Sequence, residues 1–283
     1  MPHKGGYVEI ESEQFMLGGE AANTANALRT WGAEVVLAGN GAGDDSRGDR
    51  LRKLISDQNL EIYGSASQGD AQTPVCDVYV SGDGERTMIG AGFSAMRPAI
   101  PVQDLPFVRG SWFTAEPNMA VASREAALAA ERAGMRLYLM DFLNDDDPIN
   151  AGSFWQCSTD WAGTRNNLQR NVAYVQRLVQ RKGCFGILSD GPNGFVAGSP
   201  ELPVRAYPPY PAAQVVDATG AGDMFRAGML FGLDQDWPIS KCLQFASAAG
   251  SLKVGYLGAT SRVPSVSEIL ALVEANPQIS RLY

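Results

Sequence analysis

Val215-Val216-Asp217-Ala218-Thr219-Gly220-Ala221-Gly222-Asp223-Met224-Phe225-Arg226-Ala227-Gly228-Met229-Leu230 decides how the rest of the chain is read. Two β-branched residues open it and read as the end of a strand. Gly220, Ala221 and Gly222 then let the backbone turn tightly and present bare N–H groups. A helix follows, with Phe225, Met229 and Phe231 to Leu233 forming its apolar face. The mouth of a helix has unpaired N–H donors and the positive end of the dipole, which suits an anion such as phosphate. Asp223 sits in the first turn, where the dipole favours a carboxylate. A proton acceptor beside an anion cradle can deprotonate a hydroxyl while a transferring phosphoryl group is stabilised. Read alone, the same residues equally describe a capped helix start, so a second signature has to decide.

Composition narrows the field. The chain has 283 residues, 45% of them hydrophobic and 19% charged, which is the profile of a soluble globular protein with one main α/β core. No apolar run approaches the ~20 residues a membrane-spanning helix needs. The polar start Met1-Pro2-His3-Lys4-Gly5-Gly6 shows no signal peptide, so a cytoplasmic location is expected. The net charge is -8 and no basic stripe is visible, which argues against nucleic acid as a partner. Cys76, Cys157, Cys184 and Cys242 are far apart and form no Cys-x-x-Cys pair, so they read as buried thiols. The single histidine, His3, lies in a polar terminus. Histidine-dependent catalysis and His-ligated zinc therefore lose their key residue. Acid–base work falls to carboxylates, lysine, tyrosine or a metal-bound water.

Taken in order, Tyr7 to Ser12 alternates as a strand does. Gly18 and Gly19 open an Ala-rich helix that ends near Gly32, and Asn23 lies one turn in, able to donate to and accept from hydroxyls. Glu34 to Ala38 reads as a short buried strand and Ser46 to Asp57 as a helix. Between them, Gly39-Asn40-Gly41-Ala42-Gly43-Asp44-Asp45 resembles a dinucleotide fingerprint but fails in detail. Asp44 takes the last glycine position, and the two acids put negative charge where a pyrophosphate would sit. Val75 to Ser81 and Arg86 to Ile89 read as a hairpin around Gly82-Asp83-Gly84-Glu85. Together with Tyr7 to Ser12 they predict a small separate sheet. Strands at 111–115, 135–141, 184–189 and 195–197 then alternate with helices at 121–133 and 168–181, and helices at 239–254 and 266–274 follow the opening stretch. The alternation predicts an α/β fold with a mostly parallel sheet and helices on both faces.

Two separated signatures now point one way. The Gly18-Gly19-x-x-x-Asn23 helix start and the Asp217-x-Thr219-Gly220-Ala221-Gly222-Asp223 loop resemble the two signatures of the PfkB, or ribokinase-like, carbohydrate kinases. In the same order as in that family come Gly43-Asp44-Asp45-Ser46-x-Gly48, Gly84-Glu85-Arg86-Thr87, Asp190-Gly191-x-x-Gly194 and Leu257-Gly258-Ala259. The resemblance spans about residues 5 to 275. It implies one ribokinase-like domain over 1–283, with a β lid from about 5–17 and 73–92 that in many members also forms a homodimer interface. It implies ATP-dependent phosphorylation of a hydroxyl of a sugar or sugar-like small molecule, with Mg2+. Asp223 would be the general base, and Gly220, Ala221 and Gly222 the anion hole. Gly18, Gly19 and Asn23 would hold the acceptor, and Ser189, Gly191, Gly194 and Asn166 would lie near the nucleotide. Asp217 and Thr219 match positions that bind a monovalent cation such as K+ in some members.

Three departures qualify the resemblance. The family's first strand, with its glycine and substrate-binding aspartate, would lie upstream of Pro2; the expectation is either a true start further upstream or the loss of part of the sugar site. The family's Asn-x-x-Glu reads Asn166-Asn167-Leu168-Gln169 here, with an amide in place of the carboxylate. Arg226 follows Asp223 by one turn, and an i, i+3 salt bridge is the preferred reading over a phosphate contact. A nucleoside kinase of the same fold and a catalytically weakened, ligand-binding member are the alternatives.

Overall fold

In the computed structural model, residues 3–64, 69, 71–82, 84–95, 97–119 and 121–283 are described. Helix α1 (Glu20–Thr30) starts after Gly19, whose φ of 98° lies where side chains with a Cβ are strained. It buries Thr24, Ala25, Asn26 and Ala27. Helix α2 (Ser46–Asp57) is capped by Asp45, whose Oδ1 accepts from the Gly48 amide at 2.7 Å. A carboxylate thus fills the helix mouth that a dinucleotide would need. Strands β1 (Val75–Val80) and β2 (Arg86–Ala91) pair antiparallel, Val75 opposite Ala91 and Val80 opposite Arg86. Asp83, in the turn between them, lies outside the described residues.

The main sheet follows: β3 (Trp112–Ala115), α3 (Val121–Arg132), β4 (Arg136–Met140), β5 (Phe154–Ser158), α4 (Thr159–Ala162), α5 (Leu168–Lys182), β6 (Phe185–Ser189), β7 (Phe195–Gly198) and β8 (Arg205–Tyr207). Its six strands lie in the order β3-β4-β5-β6-β7-β8; β3 to β6 run parallel, and β7 and β8 are antiparallel additions. Successive side chains leave a strand on opposite faces, and both faces here are apolar. Leu137 and Leu139 of β4, Trp155 and Cys157 of β5 and Leu188 of β6 pack with Ala127 and Ala130 of α3 and Val175 and Val179 of α5. Tyr138, Phe185, Ile187 and Phe195 turn the other way, against α6 (Ala221–Asp234) and α7 (Ile239–Lys253), where they meet Phe225, Met229 and Leu243. Helices α8 (Val266–Ala275) and α9 (Pro277–Ser280) close that layer. Among the described residues no helix is long and apolar enough to cross a membrane.

Three expected strands do not form. Tyr7 to Ser12 alternates but pairs with nothing in a ladder, and Tyr7 is 85% exposed. The small sheet therefore has two strands, β1 and β2. Glu34 to Ala38 is reduced to one bridge, Leu37 to Ile62, with Val36 facing solvent. Val215 and Val216 are not strand either; the Val216 and Asp217 amides both donate to the Val254 carbonyl, at 2.8 and 3.1 Å, tying the loop to the end of α7. Strands β5 and β8, conversely, have no counterpart in the sequence reading.

Helices α6 and α7 approach closely because small residues face each other. A Cβ placed on Gly228 would lie 2.6 Å from the Cα of Ala246. Gly228→Ala should therefore cost roughly 1–3 kcal/mol from overpacking, despite the helix propensity it gains. Thermal unfolding checks this: Tm should fall by several degrees, and an unchanged or raised Tm would show that the two helices are not in contact there.

Candidate active site

Parallel strands deliver their C-terminal ends to one edge of a sheet, and that edge is where α/β proteins build their clefts. Here it carries Glu116 after β3, Asp141 after β4, Gln156 and Cys157 near the end of β5, and Ser189 and Asp190 at the end of β6. The start of α6 faces the same edge: the amide of Gln156 donates from Nε2 to the Gly222 carbonyl at 2.9 Å, and Tyr138 fixes the other end of Gln156 at 2.6 Å.

The loop into α6 turns on Gly220, whose φ of 79° is left-handed and whose Cβ, if it had one, would collide with Ala259 at 2.6 Å. No side chain caps the helix. The first-turn amides of Gly222 and Asp223 have no intrahelical carbonyl to pair with, so they are available to an anion. Asp223 is 5% exposed, and its Oδ2 accepts from Asn23 Nδ2 at 2.7 Å. Its Oδ1 has no hydrogen-bond partner. The predicted base and the diglycine helix α1 are therefore in direct contact, 200 residues apart in sequence. Built Cβ atoms on Gly18 and Gly19 would meet nothing within 4 Å, so the space beside them is open.

Arg226 is buried completely, and the expected pair with Asp223 is present at 3.7 Å. Its shorter partner is Glu116, whose Oε2 accepts from Nη1 at 2.9 Å; Nε donates to Thr24 Oγ1 at 2.8 Å. The other oxygen of Glu116 accepts from the Ala21 amide at 3.0 Å. One guanidinium thus ties β3, α1 and α6 together beside Asp223. Glu20 and Asp141 complete the wall, each with a buried carboxylate oxygen lacking a partner. Burial raises the Asp223 carboxyl to about 6, opposed by the charge of Arg226 and the bond from Asn23. Burial, with Glu116 and Asp223 nearby, pushes Glu20 up to about 9, so it is neutral at physiological pH. Asp141 is raised as well, again by burial first.

The residues expected near a nucleotide form a second group further along the edge. Asp190 organises it: Oδ1 accepts from Thr159 Oγ1 at 2.7 Å and from the Asn166 amide at 3.3 Å, and Oδ2 accepts from Asn193 at 3.2 Å. Asn193 also donates to Asn166 Oδ1 at 2.8 Å, so Asn166 and the Gly191–Gly194 turn are one unit. Ser189 starts that turn and donates to the Cys157 carbonyl at 3.3 Å. Gln169, in the first turn of α5, is exposed. Asp217 is buried below the α6 loop, with Thr219 N donating to Oδ1 at 2.8 Å and Gly258 N to Oδ2 at 2.6 Å. The lid reaches the same loop, since the Gly84 carbonyl accepts from the Ala218 amide at 3.3 Å. Among the described residues no three His, Cys, Asp or Glu side chains converge as metal ligands.

Sequence reasoning missed Glu20, Glu116, Asp141 and Gln156. The available signal was their position: Glu116 and Asp141 each follow the last residue of a parallel strand, the place where this architecture puts functional groups.

The model of the pfkB family of carbohydrate kinases matches residues 3–99 and 159–266. An uncharacterised sugar kinase of Dictyostelium discoideum is 28% identical, over 96% of this chain and 91% of that protein. A ribokinase of Arabidopsis thaliana is 25% identical, over 97% of this chain and 76% of its own length. The solved structure of Arabidopsis thaliana ribokinase with ribose and ATP superposes with a TM-score of 0.76 at 21% identity, covering 97% of this chain and 93% of that one.

The wall around Asp223 makes a stability prediction. Glu20 binds its proton more tightly in the folded chain than in the unfolded one, so folding loses stability as pH rises from its ordinary value of 4.5 towards about 9. Glu20→Gln removes that penalty. Its Tm should match the wild type at pH 4 and exceed it by several degrees at pH 8; equal Tm values at both pH values would place Glu20 in a solvated setting.

Proposed function

The chain belongs to the pfkB family of carbohydrate kinases, with a ribokinase-like fold, and on that premise we propose how its residues divide the work. The reaction class is ATP-dependent phosphorylation of a hydroxyl on a sugar or sugar-like molecule. One observation carries the assignment of roles: a buried carboxylate, Asp223, with one oxygen held by Asn23 and the other without a hydrogen bond, 3.7 Å from Arg226, beside the uncapped first turn of α6.

Asp223 accepts the acceptor's hydroxyl proton on Oδ1, while Asn23 fixes Oδ2 and so the plane of the carboxylate. A carboxyl raised to about 6 is ionised at neutral pH yet more basic than an ordinary aspartate, which suits it to this transfer. The Gly220, Ala221 and Gly222 backbone receives the negative charge of the γ-phosphoryl group as it moves. Gly18 and Gly19 leave room for the acceptor to approach the start of α1, and Asn23 offers its free carbonyl oxygen to a hydroxyl. Ser189, Gly191, Gly194 and Asn166 flank the nucleotide. Mg2+ supplies charge neutralisation on the ATP phosphates. The exposed apolar side chains of the lid, Val78, Met88 and Ile89, support its use as a cover over the acceptor and as a contact with a second copy.

A panel of pentoses, hexoses and nucleosides, assayed with ATP and Mg2+, identifies the acceptor. With that acceptor, Asp223→Asn should lower kcat by ~10²–10⁴. In the wild type kcat/KM should rise with pH through about 6, as Asp223 loses its proton, and then level off. Near-normal turnover of Asp223→Asn, or a flat profile across that range, rejects Asp223 as the base.

A further inference from the structure

The Asp217–Gly220 loop feeds the first turn of α6, and a monovalent cation against Asp217 and Thr219 is what the family resemblance implies for some members. The residues of this chain supply a different positive charge at that place. Lys253, the last residue of α7, has no exposed surface. Its Nζ donates to the carbonyl of Asp217 at 2.9 Å and to that of Tyr256 at 3.1 Å. Both carboxylate oxygens of Asp217 are already engaged by the Thr219 and Gly258 amides. Among the side-chain oxygens of Asp217 and Thr219, only Thr219 Oγ1 is left without a hydrogen bond, and one neutral hydroxyl does not hold a bare cation.

A buried ammonium is retained only where its charge and its donors are met. Here two carbonyls take two of the three N–H donors and Asp217 offsets the charge. Burial pulls Lys253 down to about 8, with the Asp217 carboxylate acting against it, so the ammonium persists at neutral pH. Burial pushes Asp217 up, but the Thr219 and Gly258 bonds and the Lys253 charge hold it below its ordinary value. A second buried cation at this place would face the ammonium across a medium that screens charge poorly.

We infer that Lys253 is a built-in substitute for a monovalent cation: its ammonium offsets Asp217 and clamps the Asp217 carbonyl to the end of α7, holding the α6 loop in shape without K+ or Na+. The effect on turnover rests on the kinase reading; the effect on the loop does not.

The test compares the full chain in potassium, sodium and tetramethylammonium chloride at equal ionic strength, by thermal unfolding and by turnover. A cation that binds only the folded state stabilises it by an amount that grows with the logarithm of its concentration above Kd. The wild type should show the same Tm in all three salts and turnover within about twofold. A rise in Tm that grows with cation concentration, or a several-fold rise in turnover, with K+ or Na+ over tetramethylammonium overturns the inference. Lys253→Met keeps the stem and removes the charge. It should lose about tenfold or more in kcat and gain a Tm that rises with K+ but not with tetramethylammonium. A variant that equals the wild type, or one destabilised alike in every salt, assigns Lys253 no cation role and overturns it too. If the variant fails to fold, the wild-type comparison decides alone. If no alcohol is phosphorylated, the kinase reading fails, and the salt dependence of Tm still decides the role of Lys253.

Discussion

The contact between Arg226, Glu116 and Asp223 is the constraint on which the rest of the site depends. Three charged groups lie almost wholly out of water, with distances of 2.9 Å from Arg226 to Glu116 and 3.7 Å from Arg226 to Asp223. Removing one partner from such a group leaves an unpaired buried charge, at a cost of about 3–5 kcal/mol. The network therefore tolerates few arrangements of the elements that supply it. Glu116 comes from the end of β3, Thr24 and the Ala21 amide from α1, and Asp223 and Arg226 from α6. Fixing these three elements also fixes where Asn23 can meet Asp223. Stability and chemistry are coupled through one guanidinium.

The parts of the fold legible in the sequence were those set by local rules. The helices from 46 to 57 and from 239 to 253 showed themselves by periodicity and their bounding residues, and the 75–91 hairpin by its turn. The failures share a cause. Tyr7 to Ser12 and Val215-Val216 have strand-like residues, but a strand exists only where a neighbour accepts its ladder, and no local feature reports the neighbour. Strand β5 went unread for the opposite reason. Its Phe-Trp-Gln-Cys-Ser run carries a polar residue at Gln156, and that glutamine is buried because Tyr138 and the Gly222 carbonyl satisfy it from other elements.

The site divides along the same line. Glycines such as Gly19 and Gly220 are readable because a positive φ or a close neighbour demands them wherever the chain later goes. Asn23 and Asp223 were readable because each lies in a recognisable helix start. Glu116 and Asp141 were not, since single acids in a chain with 31 of them say nothing until parallel strands bring their ends to one edge. Lys253 was the least visible. In the sequence it is one more basic residue near a helix C-terminus, where solvent exposure is the rule. Only its carbonyl partners, one of them 36 residues back in the chain, show that it points inward.

These buried charges also bear on what the first turn of α6 can receive. Asp217, Glu116 and Asp223 place negative charge around it, and Arg226 and Lys253 answer from beneath, each committed to partners within the protein. Glu20 avoids adding to the negative side by keeping its proton. Arg226 is engaged with Glu116 and Thr24, its Nη2 alone lacking a hydrogen bond, and Lys253 with two carbonyls. On the proposed roles, attraction for an incoming phosphoryl group comes from the unengaged amides of Gly222 and Asp223, together with any cation the nucleotide brings. That arrangement explains why the turn is built of glycine and alanine. A side chain on Gly220 would strike Ala259 and distort the backbone whose N–H groups are proposed to bind the phosphoryl group.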